Sequence, residues 1–357
     1  MAGVTNAPLR EFFSRLDVAL THTEMVSCAG LVRGNVKTSG MLRVSPREAP
    51  LILQLFSPDA ETLARGAEAA LTLNRQDGAV PFAGLGINMA CPMPKVTKRG
   101  AGAALLKCPA EAAAMVQALK KFSLPVWVKI RRLEDLDGTL RFIETLAAAG
   151  ADNVCLHGRT AAQRYEGVAD RRFASAAAAR FPGLISASGD VYSVRDVREY
   201  LEMGCAPVML ARGALSNPWL LPEALHALGF DVLSEQLARA GIGVLPPTPE
   251  DRFAALCRLG ERAREMIGER QAVVLLKRLM GGILRGMEGA SELRRRAGCA
   301  VELDELLSVF SAGMLGRTAE APTRAGGTVT LSPACHFCHK GDAPLAPVSV
   351  TSVTPSL

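Results

Sequence analysis

No stretch of this chain approaches the ~20 consecutive apolar residues that a membrane-spanning helix needs, so no such helix is expected. A disulfide framework is missing too. The nine cysteines are odd in number, and only Cys335 and Cys338 stand close together. That usage fits a reducing compartment, and the expectation is a cytoplasmic protein. Nothing resembling a secretory leader precedes the first structured-looking residues at Met1. Finally, no Gly-x-Gly-x-x-Gly follows the first strand-like segment. This argues against an open, doubly wound dinucleotide-binding sheet.

What is present is ample material for a core. The chain has 357 residues, 49% of them hydrophobic, and a net charge of +6. This allows one large domain and a smaller one. The positive balance fits a polyanionic partner without establishing one. Short apolar runs at residues 18–23, 50–56, 84–89, 126–131, 153–159, 184–190 and 207–212 read as seven strands. Alanine-rich amphipathic stretches at 59–73, 109–121, 138–149, 172–181 and 193–203 read as the helices between them. Asn6 or Thr5 should cap a short helix near the start, with Pro8 in its first turn. Strand and helix alternating in this way mean a parallel sheet with right-handed crossovers.

A polar residue stands near the C-terminal end of each strand: Glu24, Gln54, Asn88, Lys129, His157, Asp190 and Arg212. In a (β/α)8 barrel these ends share one face, and that face carries the active site. The expected fold class is therefore an α/β TIM barrel. Only seven of its strands are visible, so the first is expected to precede Met1. A helix at 222–228 closes the barrel, and a linker rich in Gly and Pro follows. From about 250 to 312 the pattern is helical and suggests a small bundle. Between Arg252 and Arg296 there are eleven cations and five acids, an excess of +6 in one short region. A charged helix face is ordinarily just solvated, but this excess suits a phosphate backbone. The domain reading is thus 1–240 barrel, 250–312 bundle and 313–357 disordered tail.

Several constellations carry chemistry. Cys91 follows the third of these strands, close to Asn88, with Pro92 and Pro94 after it and Lys95, Lys98 and Arg99 beyond. A thiol fixed at a strand end beside cations can donate a proton to a polyanionic substrate. Alone, it would more simply be a buried cysteine on a stiff loop. Ser188-Gly189-Asp190 and Ala211-Arg212-Gly213 follow the last two strands. Small residues in those two loops let backbone N–H groups reach a phosphate, the usual place for one in a cofactor-binding barrel. As an isolated residue, His157 would more simply be a hydrogen-bonded core histidine. Cys335-His-Phe-Cys-His339 has the spacing of a haem attachment motif. Attachment requires export, so that reading is rejected. Adjacent histidines in so short a loop would strain a tetrahedral zinc site. The expectation is a thiol pair without fixed metal.

The run Asn88-Met-Ala-Cys91-Pro-Met-Pro-Lys95-Val-Thr-Lys98-Arg-Gly100-Ala-Gly102 resembles the signature of the tRNA-dihydrouridine synthases. So does His157-Gly-Arg159-Thr-Ala-Ala-Gln163-Arg-Tyr165-Glu-Gly167. The resemblance covers Met1 to about Trp219, and thinly 277–296, where the family's usual aromatic and histidine are absent. Ser188 and Ala211 also depart from the family's usual residues.

The resemblance implies reduction of the C5–C6 double bond of uridine in tRNA. NADPH would reduce bound FMN, the flavin would pass a hydride to C6, and Cys91 would protonate C5. It implies Met1, Ala2, Gln54, Lys129, His157, Ser188, Gly189, Asp190, Ala211 and Arg212 on the FMN. It implies Asn88, Lys95, Lys98, Arg159, Gln163 and Tyr165 on the substrate. The expected partner is tRNA, and the expected state a monomer. Two other readings stay open. An FMN barrel reductase of a free pyrimidine or enone would not need the basic bundle. A non-enzymatic RNA-binding barrel would be colourless when purified.

Overall fold

In a computed structural model the protein is described over residues 1, 3–48, 50–230 and 242–316. The helix α1 (Ala7–Ser14) is capped by the Asn6 side chain, which accepts from the Leu9 amide, and has Pro8 in its first turn. Next come β1 (Thr21–His22), β2 (Val26–Ser27), α2 (Cys28–Val32) and α3 (Val36–Ser39). The repeating part runs β3 (Leu51–Phe56), α4 (Ala60–Gln76), β4 (Gly84–Met89), α5 (Pro94–Thr97), α6 (Pro109–Lys120), β5 (Val126–Arg131) and α7 (Leu136–Ala148). It continues with β6 (Asn153–His157), α8 (Arg171–Arg180), β7 (Ile185–Ser188), α9 (Val194–Glu202), β8 (Val208–Met209), α10 (Arg212–Ser216) and α11 (Leu220–Ala227). A bundle follows: α12 (Pro249–Ile267), α13 (Glu269–Ile283), α14 (Ala290–Cys299) and α15 (Leu303–Leu315).

The strands pair in parallel in the order β1-β3-β4-β5-β6-β7-β8, with β2 on the same edge of β3 as β1. The sheet is a curled TIM-barrel-like α/β sheet, and among the described residues no ladder joins β8 to β1. Of the strand expected at 18–23 only Thr21–His22 is ladder, and a second short ladder follows at Val26–Ser27. Between them the Thr23 hydroxyl, not a strand carbonyl, accepts the Gln54 N–H at 2.8 Å. A side chain standing in for the backbone leaves no period-2 signature in sequence.

Strand alternation decides what faces inward. Leu53, Leu55, Leu85, Ile87, Met89, Val128, Ile130, Val154, Leu156 and Ala187 are buried in one core with the surrounding helices. The alternate set therefore lines the barrel: Gln54, Asn88, Lys129, Arg131, Cys155, His157, Ser186 and Ser188. This interior is polar, which a packed barrel does not require. Glycines make room inside it. A Cβ at Gly84 would stand 2.7 Å from the Ile52 side chain.

A second core joins the bundle to Leu9, Phe12 and Leu16 at the start of the chain and to Trp219. By packing, α1 and Trp219 belong with the bundle, although the sequence reading grouped them with the barrel. The bundle also passes the expected end at 312, because α15 runs to Leu315 with Met314 buried. The expected tail from 317 onward, with Cys335 to His339, lies outside the described residues, as does Ala2.

Candidate active site

Cys91 follows β4 by two residues and is half-buried. Its loop is held from three sides. Asn88, 4% exposed, accepts from the Ala90 and Cys91 amides through Oδ1 at 3.2 and 2.9 Å. The Cys91 carbonyl accepts from the Ala103 amide at 3.0 Å. It also touches Gly102, where an added Cβ would approach it to 2.7 Å. Gly102 has φ +62°, so both conformation and space call for glycine there. The buried Arg131 donates from Nε to the Ala90 carbonyl at 2.8 Å. Its Nη1 donates to the carbonyls of Thr160 and Arg164. Arg131 thus ties the Cys91 loop to the loop after β6. No ion pair joins it to Glu24, which accepts the Gly3 amide. With its backbone pinned, the Cys91 sulfur makes no hydrogen bond to any described residue.

Asn88 and Gln54 were expected at substrate and cofactor. The structure spends both on each other and on the chain. Asn88 Nδ2 donates to Gln54 Oε1 at 2.7 Å, and Gln54 Nε2 donates to the Thr23 carbonyl at 3.1 Å. Thr23, Gln54 and Asn88 form a polar chain that ends on the Cys91 amide. Thr23 carried no sequence signal, whereas Arg131, two residues after Lys129, shares its inward parity.

Lys129 points into the barrel. Its Nζ donates to Ser188 Oγ at 2.6 Å and lies 3.6 Å from Cys155 Sγ. No carboxylate pairs with it among the described residues. A half-buried ammonium without a counter-charge is costly unless something anionic comes to it. Ser188, the residue that departs from the family's usual one, supplies the hydroxyl.

His157 Nδ1 accepts from the Arg159 backbone N–H at 3.1 Å. Burial, followed by the charges of Lys129, Arg131, Arg159 and Arg212, pushes the imidazole down to about 2. The ring is therefore neutral with its proton on Nε2, and it can donate one hydrogen bond into the mouth.

The two loops expected to hold phosphate pack against each other. Gly189 has φ +118°, and a Cβ at Gly213 would fall 1.8 Å from the Val191 carbonyl oxygen. Only glycine lets α10 start there, directly after Ala211. Asp190 does not face outward alone. It takes both terminal nitrogens of Arg159 at 2.7 Å and the Ala169 amide at 2.8 Å. Burial alone would raise this carboxyl. The Arg159 and Ala169 hydrogen bonds, with the charges of Arg159 and Arg212, hold it below the usual carboxylate range.

The loop after β6 was expected over the substrate. Arg159 is 3% exposed and also donates to the carbonyls of Glu166 and Gly167, so it braces the loop from beneath. Gln163 Oε1 accepts from the Thr160 amide and from Arg132. Tyr165 remains at the mouth, 56% exposed, with the Arg212 guanidinium 4.8 Å from its ring centre. Arg212 lies 5.8 Å from the Tyr192 ring on its other side. Lys95 and Lys98 are exposed, and neither pairs with a described residue. Met1 closes the turn 1–5, its amine donating to Thr5 Oγ1 at 2.7 Å.

Charge in the bundle is less free than its count suggests. Arg262 pairs with Glu11 and Glu265, Arg264 with Glu261 and Asp304, and Arg295 with Glu292. Lys277 caps α14 by donating to the Gly298 and Ala300 carbonyls. Arg278 and Arg285 make no side-chain hydrogen bond or ion pair with a described residue. Both line a cavity of about 520 Å³ between α13 and the barrel, together with Tyr192, Leu215, Ser216, Gly281 and Gly282. The Arg278 guanidinium also lies beside Gly3.

This arrangement fits a flavin. The unpaired ammonium, the neutral imidazole donor and the glycine-built loops are what an anionic ring edge and a phosphate require. Among the described residues no cluster of metal ligands occurs, and no helix is long and apolar enough to cross a membrane.

Comparison with known proteins gives the same direction. The family model for dihydrouridine synthase matches residues 1–312. A probable tRNA-dihydrouridine synthase of Treponema pallidum is 30% identical over 83% of this chain and 86% of its own length. One from Mycobacterium tuberculosis is 31% identical over 86% and 78%. The tRNA-dihydrouridine synthase B of Pseudomonas aeruginosa is 29% identical over 82% and 85%. With a match over most of its length, and a cysteine pinned at the mouth of a polar barrel, the chain belongs to the dihydrouridine synthase family.

Proposed function

We propose that this protein reduces the C5–C6 double bond of uridine in tRNA, with Cys91 as the proton donor, FMN as the bound cofactor and NADPH as the reductant. The observation that carries the reading is the Cys91 loop. Asn88, Gly102 and Arg131 fix its backbone while its sulfur makes no hydrogen bond to a described residue. A cysteine serving only to pack would not need that frame. When bound, reduced FMN supplies a hydride to C6.

The chain's own residues do the rest. The amides of the 188–190 and 211–213 loops and Arg212 would hold the phosphate. Lys129 would offset negative charge on the ring, and His157 would donate from Nε2. The Cys91 thiol gives its proton to C5, and the resulting thiolate recovers a proton from water. The product has thus gained one hydride and one proton, that is, two hydrogens.

Such a pocket admits a single base, so the uridine must leave its stack. Arg278 and Arg285 support a polyanion at the cleft beside the mouth, which a free pyrimidine would not require. We place the protein in the cytoplasm as a monomer.

The test is to incubate the purified protein and NADPH with an unmodified tRNA transcript or with free uridine. The reading expects dihydrouridine, two mass units heavier, in the tRNA only. Turnover of free uridine with untouched tRNA would contradict it. Acid release should yield FMN, and FAD would overturn that assignment.

A further inference from the structure

A second cavity, of about 320 Å³, lies behind the Cys91 loop, lined by Ser27, Ala29, Arg33, Phe56, Pro58, Arg99 and Ala101. Its position follows from strand parity. Phe56 is two residues beyond Gln54 on the inward face of β3, so it stands at the rim directly above the Thr23–Gln54–Asn88 chain. Arg99 and Ala101 belong to the loop that carries Cys91, and Ala101 precedes the glycine packed on the Cys91 carbonyl. The cavity therefore shares a wall with the active site.

Its chemistry is mixed in a specific way. Phe56, Pro58, Ala29 and Ala101 offer an apolar bed. Arg33 and Arg99 are exposed, and neither makes an ion pair or side-chain hydrogen bond with a described residue. The nearest carboxylate in sequence, Asp59, is committed to its own helix, accepting from the Thr62 amide and hydroxyl at 2.7 and 3.0 Å. Two uncompensated guanidinium groups over an aromatic bed match a nucleotide, with its base on Phe56 and its phosphate on the arginines. The volume is at the lower end for a small-molecule site. Lys98 and Lys95, exposed and without a partner among the described residues, continue the positive charge along the same loop.

We propose that this cavity holds a second, unpaired nucleotide of the RNA strand, adjacent to the uridine that is reduced. The inference rests on the RNA-reducing reading above. Gripping the neighbour would fix the strand on both sides of the catalytic loop and hold the reacting base in register with Cys91.

The experiment uses the full chain with bound flavin and compares the wild type, Arg33→Ala/Arg99→Ala and Phe56→Leu. Each is given tRNA transcripts, intact or with an abasic residue on one side of the reduced uridine. For the arginine pair the expectation is an at least ~10-fold higher KM for intact tRNA and a salt dependence shallower by about two charges. Its KM for NADPH and its rate of flavin reduction should equal those of the wild type. For the wild type, one of the two abasic transcripts should lose ~10–100-fold in kcat/KM, the worth of a base–aromatic stack. Phe56→Leu should lose much less on the same change. A raised KM for NADPH with unchanged tRNA kinetics would assign the cavity to the dinucleotide and overturn the proposal. So would wild-type behaviour of the arginine pair. If the wild type reduces no tRNA uridine at all, the functional reading fails first and this inference falls with it.

Discussion

Asn88 holds the loop of the proposed proton donor through its backbone. Its carbonyl oxygen takes the amides of Ala90 and Cys91, and its nitrogen feeds Gln54. Asn88→Ala would leave these buried groups unpaired, at a cost of about 1–3 kcal/mol. Chemical denaturation should show that loss, and tRNA reduction should slow while NADPH oxidation persists. Asn88→Asp keeps the acceptor for the loop and should recover part of the rate. Unaltered tRNA reduction in Asn88→Ala would show that the frame does not matter to the thiol.

The histidines give a pH signature. Burial, with help from Lys129, lowers His22 to about 3, and His157 is held at about 2, against 6.5 for a free imidazole. Both fold as neutral rings. Their contribution to stability is complete above pH 6.5 and is lost as pH falls towards the folded values. Each costs about 1.4 kcal/mol per pH unit in that window. The depressed Asp190 continues the loss at lower pH, below the ordinary carboxyl value of 3.8. The slope of unfolding free energy between pH 6 and pH 4 should therefore be shallower in His157→Gln by about one proton. An unchanged slope would mean that the ring does not titrate as described.

Among the elements, the strands β3 to β6 were legible to within two residues, because alternation in Leu-Ile-Leu-Gln-Leu-Phe or Val-Trp-Val-Lys-Ile-Arg writes both faces at once. The inward polar residues were legible for the same reason. The partners of those residues were not. That Arg159 would be used up on Asp190, or Asn88 on backbone amides, depends on loops that return from far along the chain. The β1–β2 break was hidden because Thr23 fills a ladder position with its side chain. The junction of barrel and bundle was hidden as well, since it rests on glycines. A Cβ at Gly282 in α13 would stand 2.0 Å from the Leu215 carbonyl oxygen, and α10 begins at the equally tight Gly213. Gly282→Ala should therefore push α13 off the barrel and destabilise the protein by about 1–3 kcal/mol. A melting temperature equal to that of the wild type would show that the contact is not needed.

Over the whole molecule, two cores meet along one cleft. The second core takes its first helix from the start of the chain and its last from beyond residue 300, so barrel and bundle are tied at both ends. Arg278 in α13 and Arg285, two residues past its end, both line the cleft, on either side of the Gly282 contact in sequence. Arg278→Ala/Arg285→Ala should raise the KM for tRNA and lower its salt dependence by about two charges, with flavin content unchanged. Equal salt slopes would take the cleft out of tRNA binding.

The claim at the centre is that a thiol framed at the end of β4 gives the proton that completes uridine reduction. Rapid mixing of tRNA with enzyme whose flavin has already been reduced isolates that step from the reaction with NADPH. Flavin reoxidation should be slower in Cys91→Ala by about 10²–10⁴-fold, the usual worth of a general acid, with flavin content and reduction by NADPH as in the wild type. Reoxidation of Cys91→Ala by tRNA at the wild-type rate would contradict the account.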